Sequence, residues 1–204
     1  VSMTIGATYK MGTKMKGYST NFRFANMASV SDTLKYSVDT LAKTGARFGD
    51  EIGVGISFKN ADKWSAEFNY TRSDWTKSGL DNAPGFSVIG DSKFTTTVSN
   101  SYRAGFEIVP DRNDIRRYLN RCAYRAGVYY DQSYYKMDGH AVNSMGLTFG
   151  ITFPIENANS YRIYNGVSLG VDIGQRASTR NNLIRERYVM FVIGFNIHDL
   201  WFIK

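Results

Sequence analysis

The sequence predicts an all-β fold, a transmembrane antiparallel β-barrel of the up-and-down type. Residues 142–173 read as a hairpin whose two arms alternate apolar with small or polar side chains for about ten residues each. A tilted strand needs that length to cross a bilayer, whereas strands of soluble sandwiches usually have about five to six residues. No run of about eighteen apolar residues occurs, so a transmembrane helix is not expected. The 14 Tyr and 13 Phe fit aromatic girdles at the two membrane interfaces.

Composition and charge agree with this class. The mean hydropathy of -0.33 is low for a helical membrane protein, but a barrel hides its apolar residues in alternate positions. The net charge is +7, yet the 25 Lys and Arg are scattered along the chain, which argues against a nucleic-acid partner. The single cysteine, Cys122, can form no internal disulfide and is interpreted as a small buried hydrophobe.

Six strands are predicted before the hairpin arms, and one after them. In chain order they cover about Val1–Lys10, Met15–Ala25, Glu51–Phe58, Trp64–Thr71, Thr95–Ile108 and Leu119–Tyr134, followed by the two arms and then Arg187–Ile197. Each alternates an apolar with a small or polar residue, and turn residues such as those at 12–14 and 60–62 separate neighbours. Residues 27–47 and 73–93 are long and polar and are expected to be exposed loops, with a weak strand at 34–38 in the first.

Loop lengths orient the predicted barrel, because outer-membrane barrels have short periplasmic turns and longer external loops. On this basis the ninth strand ends in the periplasm and the first begins outside. A bacterial barrel has an even strand count, so an odd number of strands is expected to precede Val1. The 204 residues are therefore expected to form a single domain that is the C-terminal part of a larger barrel.

A family resemblance is carried by spaced glycines, aromatics and arginines along nearly the whole chain. The segments are 52–58, 64–70, Ser73-Asp74-Trp75, 124–128, Ser133-Tyr134, 174–176 and the terminal 199–204. They resemble the outer-membrane long-chain fatty-acid and hydrocarbon transporter family, the FadL/TodX type, in its divergent Bacteroidetes-like members. The resemblance implies a fourteen-stranded barrel with an N-terminal hatch, of which nine strands would lie here. The hatch and its Asn-Pro-Ala motif are not in this sequence, so no functional residue carries over from them.

The sequence offers few residues suited to catalysis. His140 lies in a predicted turn and His198 beyond the last strand, so neither is placed against a serine in the lumen. One cysteine and two remote histidines do not make a metal site. We therefore expect no enzyme activity, no catalytic residue, no metal and no cofactor.

Charged residues on the polar face are the main candidate site. They are Glu67, Arg103, Glu107, Arg121, Arg125, Asp131, Arg162, Asp172 and Arg176. In one interpretation they form cross-strand ion pairs that close the lumen. In the other, the five residues Arg103, Arg121, Arg125, Glu107 and Asp131 contact a ligand, and the arginines attract a carboxylate headgroup.

Two aromatic residues of an expected external loop, Trp75 and Phe86, form the second candidate site. They suit either an apolar landing groove or an interfacial anchor.

The expected function is passive uptake of hydrophobic small molecules, such as long-chain fatty acids, through a barrel in the bacterial outer membrane. Its expected partners are membrane lipids, the hydrophobic ligand and other outer-membrane proteins. The alternative is a non-transporting barrel subunit of an outer-membrane protein assembly or secretion complex. A scaffold of that kind would have a filled, ion-paired lumen and a large apolar patch, whereas an ordinary porin would need a wide lumen open to water.

Overall fold

The computed structural model describes residues 1–14, 18–23, 35–40, 46–61, 63–82, 88–89, 92–155, 165–177 and 184–196. These residues form antiparallel β-strands with almost no helix, so the predicted all-β class is confirmed. The strands in chain order are β1 Ser2–Lys10, β2 Tyr18–Arg23, β3 Lys35–Thr40, β4 Asp50–Asn60, β5 Trp64–Asp74, β6 Val88–Ile89, β7 Ser92–Thr96, β8 Val98–Ile108, β9 Ala123–Met137, β10 His140–Ile155, β11 Asn165–Arg176 and β12 Glu186–Asn196. One short helix, α1, covers Tyr118–Arg121, and a 3-10 turn covers Leu80–Asn82.

One main sheet contains most of these strands, in the order β1-β4-β5-β8-β9-β10-β11-β12. Strand β7 pairs with β9 beyond the end of β8, and Thr97 separates the two with a main-chain N–H to Tyr134 O bond of 2.7 Å. Eight of the nine predicted strands lie in the main sheet, and the predicted Thr95–Ile108 is divided into β7 and β8; the two-residue β6 pairs with β7 and brings the sheet to ten strands. Among the described residues, the edge strands β1 and β12 are each paired on one side only, so the sheet is open there.

The predicted second strand, Met15–Ala25, does not join the main sheet. Its central residues form β2, which pairs only with β3 in a separate hairpin, while β1 pairs directly with β4 from Ser2 opposite Lys59 onward. Alternation specifies the two faces of a strand but does not say which backbone the strand pairs with. The strand β1 therefore begins at the same end of the sheet at which β12 ends. The prediction that the first strand starts on the opposite side is wrong.

The main sheet has two ends, at which its strands are connected. The "hairpin end" is where β4 and β8 begin and β5 ends, and the "α1 end" is where β4 ends, β5 begins and β8 leads to β9 through α1. The predicted sixth strand was expected to start at Leu119, but α1 occupies that position and β9 starts at Ala123. No helix of the described residues has the length and apolarity to cross a membrane.

Alternation gives the main sheet one apolar and one polar face, as expected from the sequence. On the apolar face of β4, Asp50 and Asn60 bound a run of large apolar residues within the 11 residues of the strand. At about 3.3 Å per residue and a tilt of about 40°, the whole strand from Asp50 to Asn60 spans about 25 Å, so its two polar ends are separated by the height of the apolar band of an outer-membrane barrel. Side chains across this face are largely exposed in the isolated chain, for example Leu147 at 50% and Phe191 at 78%.

Aromatic residues lie toward both ends of the apolar face. Near the hairpin end, the Tyr70 and Tyr102 rings are 4.9 Å apart, and the Tyr102 and Tyr130 rings are 6.4 Å apart. Near the α1 end, Trp64 stacks on Phe106 at 6.3 Å. Rows of this kind are typical of the aromatic girdles that flank an apolar membrane band.

Small buried clusters lie at the two ends of the sheet instead of one central core. The buried apolar residues of the described chain are Ala46, Phe94, Val109, Cys122 and Val142. Because the apolar face itself is uncovered by any described residue, the fold differs from a soluble sandwich, in which a second sheet would bury it.

Candidate functional site on the polar face of the sheet

A groove of about 710 Å³ runs along the polar face, across strands β5 to β12. Of the five charged residues predicted to contact a ligand, four line this groove: Arg103, Glu107, Arg125 and Asp131. The antiparallel register brings them together, because Glu107 lies opposite Arg125 and Ser101 lies opposite Asp131. The sequence therefore predicted the face on which these residues lie, and the register decides their partners.

Cross-strand ion pairs hold two of the three arginines that line the groove. Arg125 Nε donates to Glu107 Oε2 at 2.6 Å, and Arg125 Nη1 donates to Thr152 Oγ1 at 2.7 Å. Arg103 Nη2 lies 3.6 Å from Asp131 Oδ2, a longer contact, with 65% of the arginine side chain exposed. These pairs match the ion-pair interpretation of the polar face, and a guanidinium held by a carboxylate is less available to an incoming carboxylate ligand.

A tyrosine cluster closes the groove toward β12. The Tyr129 hydroxyl donates to Asp172 Oδ1 at 3.1 Å and shares a short hydrogen bond with the Tyr188 hydroxyl. Glycines make room for the rings, since a Cβ at Gly146 would meet Tyr129 and a Cβ at Gly174 would meet both tyrosines. The sequence analysis did not identify Tyr188 as a residue of the polar face. Its position two residues after Glu186 places it on that face, and in the structure it lies opposite Gly174.

Arg121 does not join the groove. It is the last residue of α1, outside the sheet, and its guanidinium carbon lies 5.5 Å from the centre of the Tyr118 ring. The prediction that it points inward assumed that the strand had already begun there. Of the other predicted inward charges, Glu67, Asp172 and Arg176 line the groove, and Arg162 lies outside the described residues.

Trp75 belongs to a packed aromatic cluster at the hairpin end. Its ring is 4.8 Å from Tyr134 and 5.8 Å from Phe48, and Tyr134 in turn contacts Tyr135 edge-on at 5.3 Å. Trp75 is half-buried, so it acts first as a packing residue that ties the loop to β9. Phe86, the other predicted loop aromatic, lies outside the described residues.

Hydrogen bonds order this hairpin end around the cluster. Arg47 Nη2 contacts Asp50 Oδ1 at 2.8 Å, and the same carboxylate oxygen accepts the Gly12 N–H at 2.7 Å. The Lys93 N–H donates to Asp138 Oδ1 at 2.7 Å, and this bond is the main reason that the pKa of Asp138 is lowered. These hydrogen bonds link the segments of the hairpin end into one packed surface.

Metal and nucleophile chemistry finds little support in the described part of the chain. Within those ranges no three His, Cys, Asp or Glu side chains gather closely enough to hold a metal ion. His140 is the first residue of β10, and His198 lies outside the described ranges. The buried Cys122 thiol lies 3.7 Å from Tyr118 O, and burial raises its pKa, which disfavours the reactive thiolate.

Comparison with known proteins gives one family. The BamG family model matches residues 1–204, the whole chain. The chain belongs to the BamG family. No curated protein and no solved structure matches it. BamG proteins are associated with the Bam complex, which assembles proteins in the outer membrane, so this chain is associated with the outer membrane and with other assembly proteins.

Membership of the BamG family corrects the resemblance to fatty-acid transporters. The FadL/TodX assignment is wrong, and with it the expectation of passive uptake of hydrophobic molecules. The segments that suggested it are glycine, aromatic and arginine positions of β4, β5, β9 and β11, together with Trp75 just after β5 and residues 199–204, which lie outside the described residues. Membrane strands in unrelated barrels share that chemistry, because lipid and a tight sheet select the same residue types.

Proposed function

We propose that this BamG-family chain is a membrane-embedded, non-transporting subunit of the outer-membrane protein assembly complex. The match of the family to all 204 residues carries the proposal. In this role the main sheet spans the outer membrane with its apolar face toward lipid or neighbouring subunits, and the chain catalyses no reaction.

The polar face supports a structural role. Its shorter ion pair, Arg125 with Glu107, joins β8 to β9, and Arg125 also donates to Thr152 on β10. Thr152 continues the network to Ser168 on β11 at 2.8 Å. One hydrogen-bonded network therefore crosses four strands and holds their register, which is a use for lumen charges that needs no ligand.

The apolar face supports contact with lipid or protein neighbours. Exposed apolar residues cover this face from Met3 on β1 to Phe195 on β12. The resulting apolar patch is larger than the few hundred Å² of contiguous apolar surface that a soluble monomer usually exposes. At an assembly complex such a face suits both lipid and the walls of neighbouring subunits.

The test is affinity purification of the tagged full-length chain from its own cells in mild detergent. The proposal expects stable recovery of the outer-membrane assembly complex, and a loss of folded outer-membrane proteins when the chain is depleted. Recovery of the chain alone, together with normal outer-membrane protein levels after depletion, would contradict it.

A further inference from the structure

The connection between β8 and β9 folds into a small rigid projection at the α1 end, which we name the knuckle and define as Asp111–Arg121. Its shape is set by one carboxylate. Asp114 Oδ1 accepts the main-chain N–H groups of Arg116 at 2.8 Å and Arg117 at 3.0 Å, and Asn120 Nδ2 donates to Asp114 Oδ2 at 2.6 Å. The Asn120 side chain, followed by the two N–H groups, holds the pKa of Asp114 below its usual value, so these bonds persist at neutral pH.

Contacts with the sheet fix the knuckle in place. The Tyr118 hydroxyl donates to Pro154 O on β10 at 2.8 Å, and the Tyr124 hydroxyl of β9 donates to Leu119 O at 3.0 Å. The fully buried Cys122 follows directly, and its N–H also donates to Leu119 O. The knuckle is therefore held on two strands and keeps one shape without a partner.

The knuckle presents an apolar tip among basic side chains. Ile115 is 95% exposed and Leu119 is 59% exposed. Between residues 111 and 121 there are four arginines and two aspartates, and both aspartates accept main-chain N–H groups, Asp111 from Asn113 at 3.0 Å. Among ion pairs between described residues, none uses the exposed Arg116.

We propose that the knuckle docks into an acidic protein surface that carries a shallow apolar pocket for Ile115, on another subunit of the assembly complex. This inference rests on the proposed function and deepens it by naming the contact. Its grounds are charge complementarity and a preformed shape, because a rigid aliphatic anchor inside a charged rim binds with little loss of conformational freedom. A lipid surface would have no need of the Asp114 bonds, since headgroups adapt to a mobile basic loop.

The experiment compares two double variants of the tagged full-length chain, purified with its complex from cells. The first is Arg116→Glu with Arg117→Glu in the knuckle. The matched control is Lys77→Glu with Lys93→Glu, which makes the same charge change on exposed side chains at the hairpin end. We expect the knuckle variant to retain about tenfold less of one subunit, and the control to retain the wild-type amount.

A second arm identifies the contact. A photo-crosslinking amino acid at Ile115 should form an adduct with the same subunit that the charge reversal releases, at a peptide rich in Asp and Glu. The proposal is overturned if both double variants retain the complex equally. It is also overturned if the Ile115 adduct forms only with lipid and the two double variants differ in binding to vesicles of anionic phospholipid. In either case an intact complex would leave the proposed function standing, whereas loss of all subunits from wild type would refute that function.

Discussion

Placing a charge at the centre of the apolar face tests whether the main sheet spans a membrane. Leu147 lies four residues along β10 from Asn143, which forms a polar row across the apolar face with Gln132 on β9 and Asn100 on β8. At about 3.3 Å per residue and a tilt of about 40°, Leu147 is about 10 Å below that row and close to the middle of a 25 Å apolar band. Leu147→Arg should therefore lower the free energy of unfolding by about 2–4 kcal/mol in a bilayer.

The matched change is Gln132→Arg, in the polar row itself. Gln132 lies opposite both Asn100 and Asn143, and its Oε1 accepts a 2.8 Å hydrogen bond from Asn100 Nδ2. Near the interface an arginine costs about 0–1 kcal/mol, and loss of that hydrogen bond adds about 0.5–1.5 kcal/mol. The cost at the row should thus stay below the cost at Leu147.

Reversible unfolding by guanidinium chloride in phospholipid vesicles, followed by tryptophan fluorescence, measures both free energies. A mid-band cost of about 2–4 kcal/mol corresponds to a factor of about 30–1,000 in the folding equilibrium, well above the error of linear extrapolation. Equal costs at Leu147 and Gln132 would refute the reasoning, because the cost of an arginine falls from about 2–4 kcal/mol at mid-band to about 0–1 kcal/mol near the interface, and the hydrogen bond lost at Gln132 makes up only part of that difference.

Three further predictions concern single contacts. A double-mutant cycle on Arg125→Ala and Glu107→Ala should give a coupling of up to about 1 kcal/mol that shrinks in 1 M salt, since both side chains are partly exposed; salt-independent coupling would contradict this. Gly146→Ala should destabilise the fold by about 1–3 kcal/mol, because the added Cβ would meet the Tyr129 ring. In denaturant titrations, the double variant Gly146→Ala, Tyr129→Ser should lose less stability than the two single variants together. Cys122 should react with a thiol reagent at roughly pH 8 only after unfolding, because it is buried and its pKa is raised; prompt labelling of the folded chain would argue against the packed α1 end.

The sequence by itself determined the strands and their two faces. Side chains alternate along a strand, so the sequence places Leu147 among the apolar positions of β10 and Arg125 among the polar positions of β9. The same alternation predicted that the charges at Arg103, Glu107 and Asp131 share one face, and they do.

Only the tertiary structure decided which strands are neighbours and which side chains meet. The alternation in β2 is as regular as in β1, yet β2 pairs with β3 and leaves β1 to β4, because pairing depends on backbone register and loop closure between distant segments. Arg121 could not be placed for a related reason, since a four-residue helix interrupts the pattern just before β9. Local periodicity specifies the direction of a side chain, but its partner is set by contacts between segments far apart in the chain.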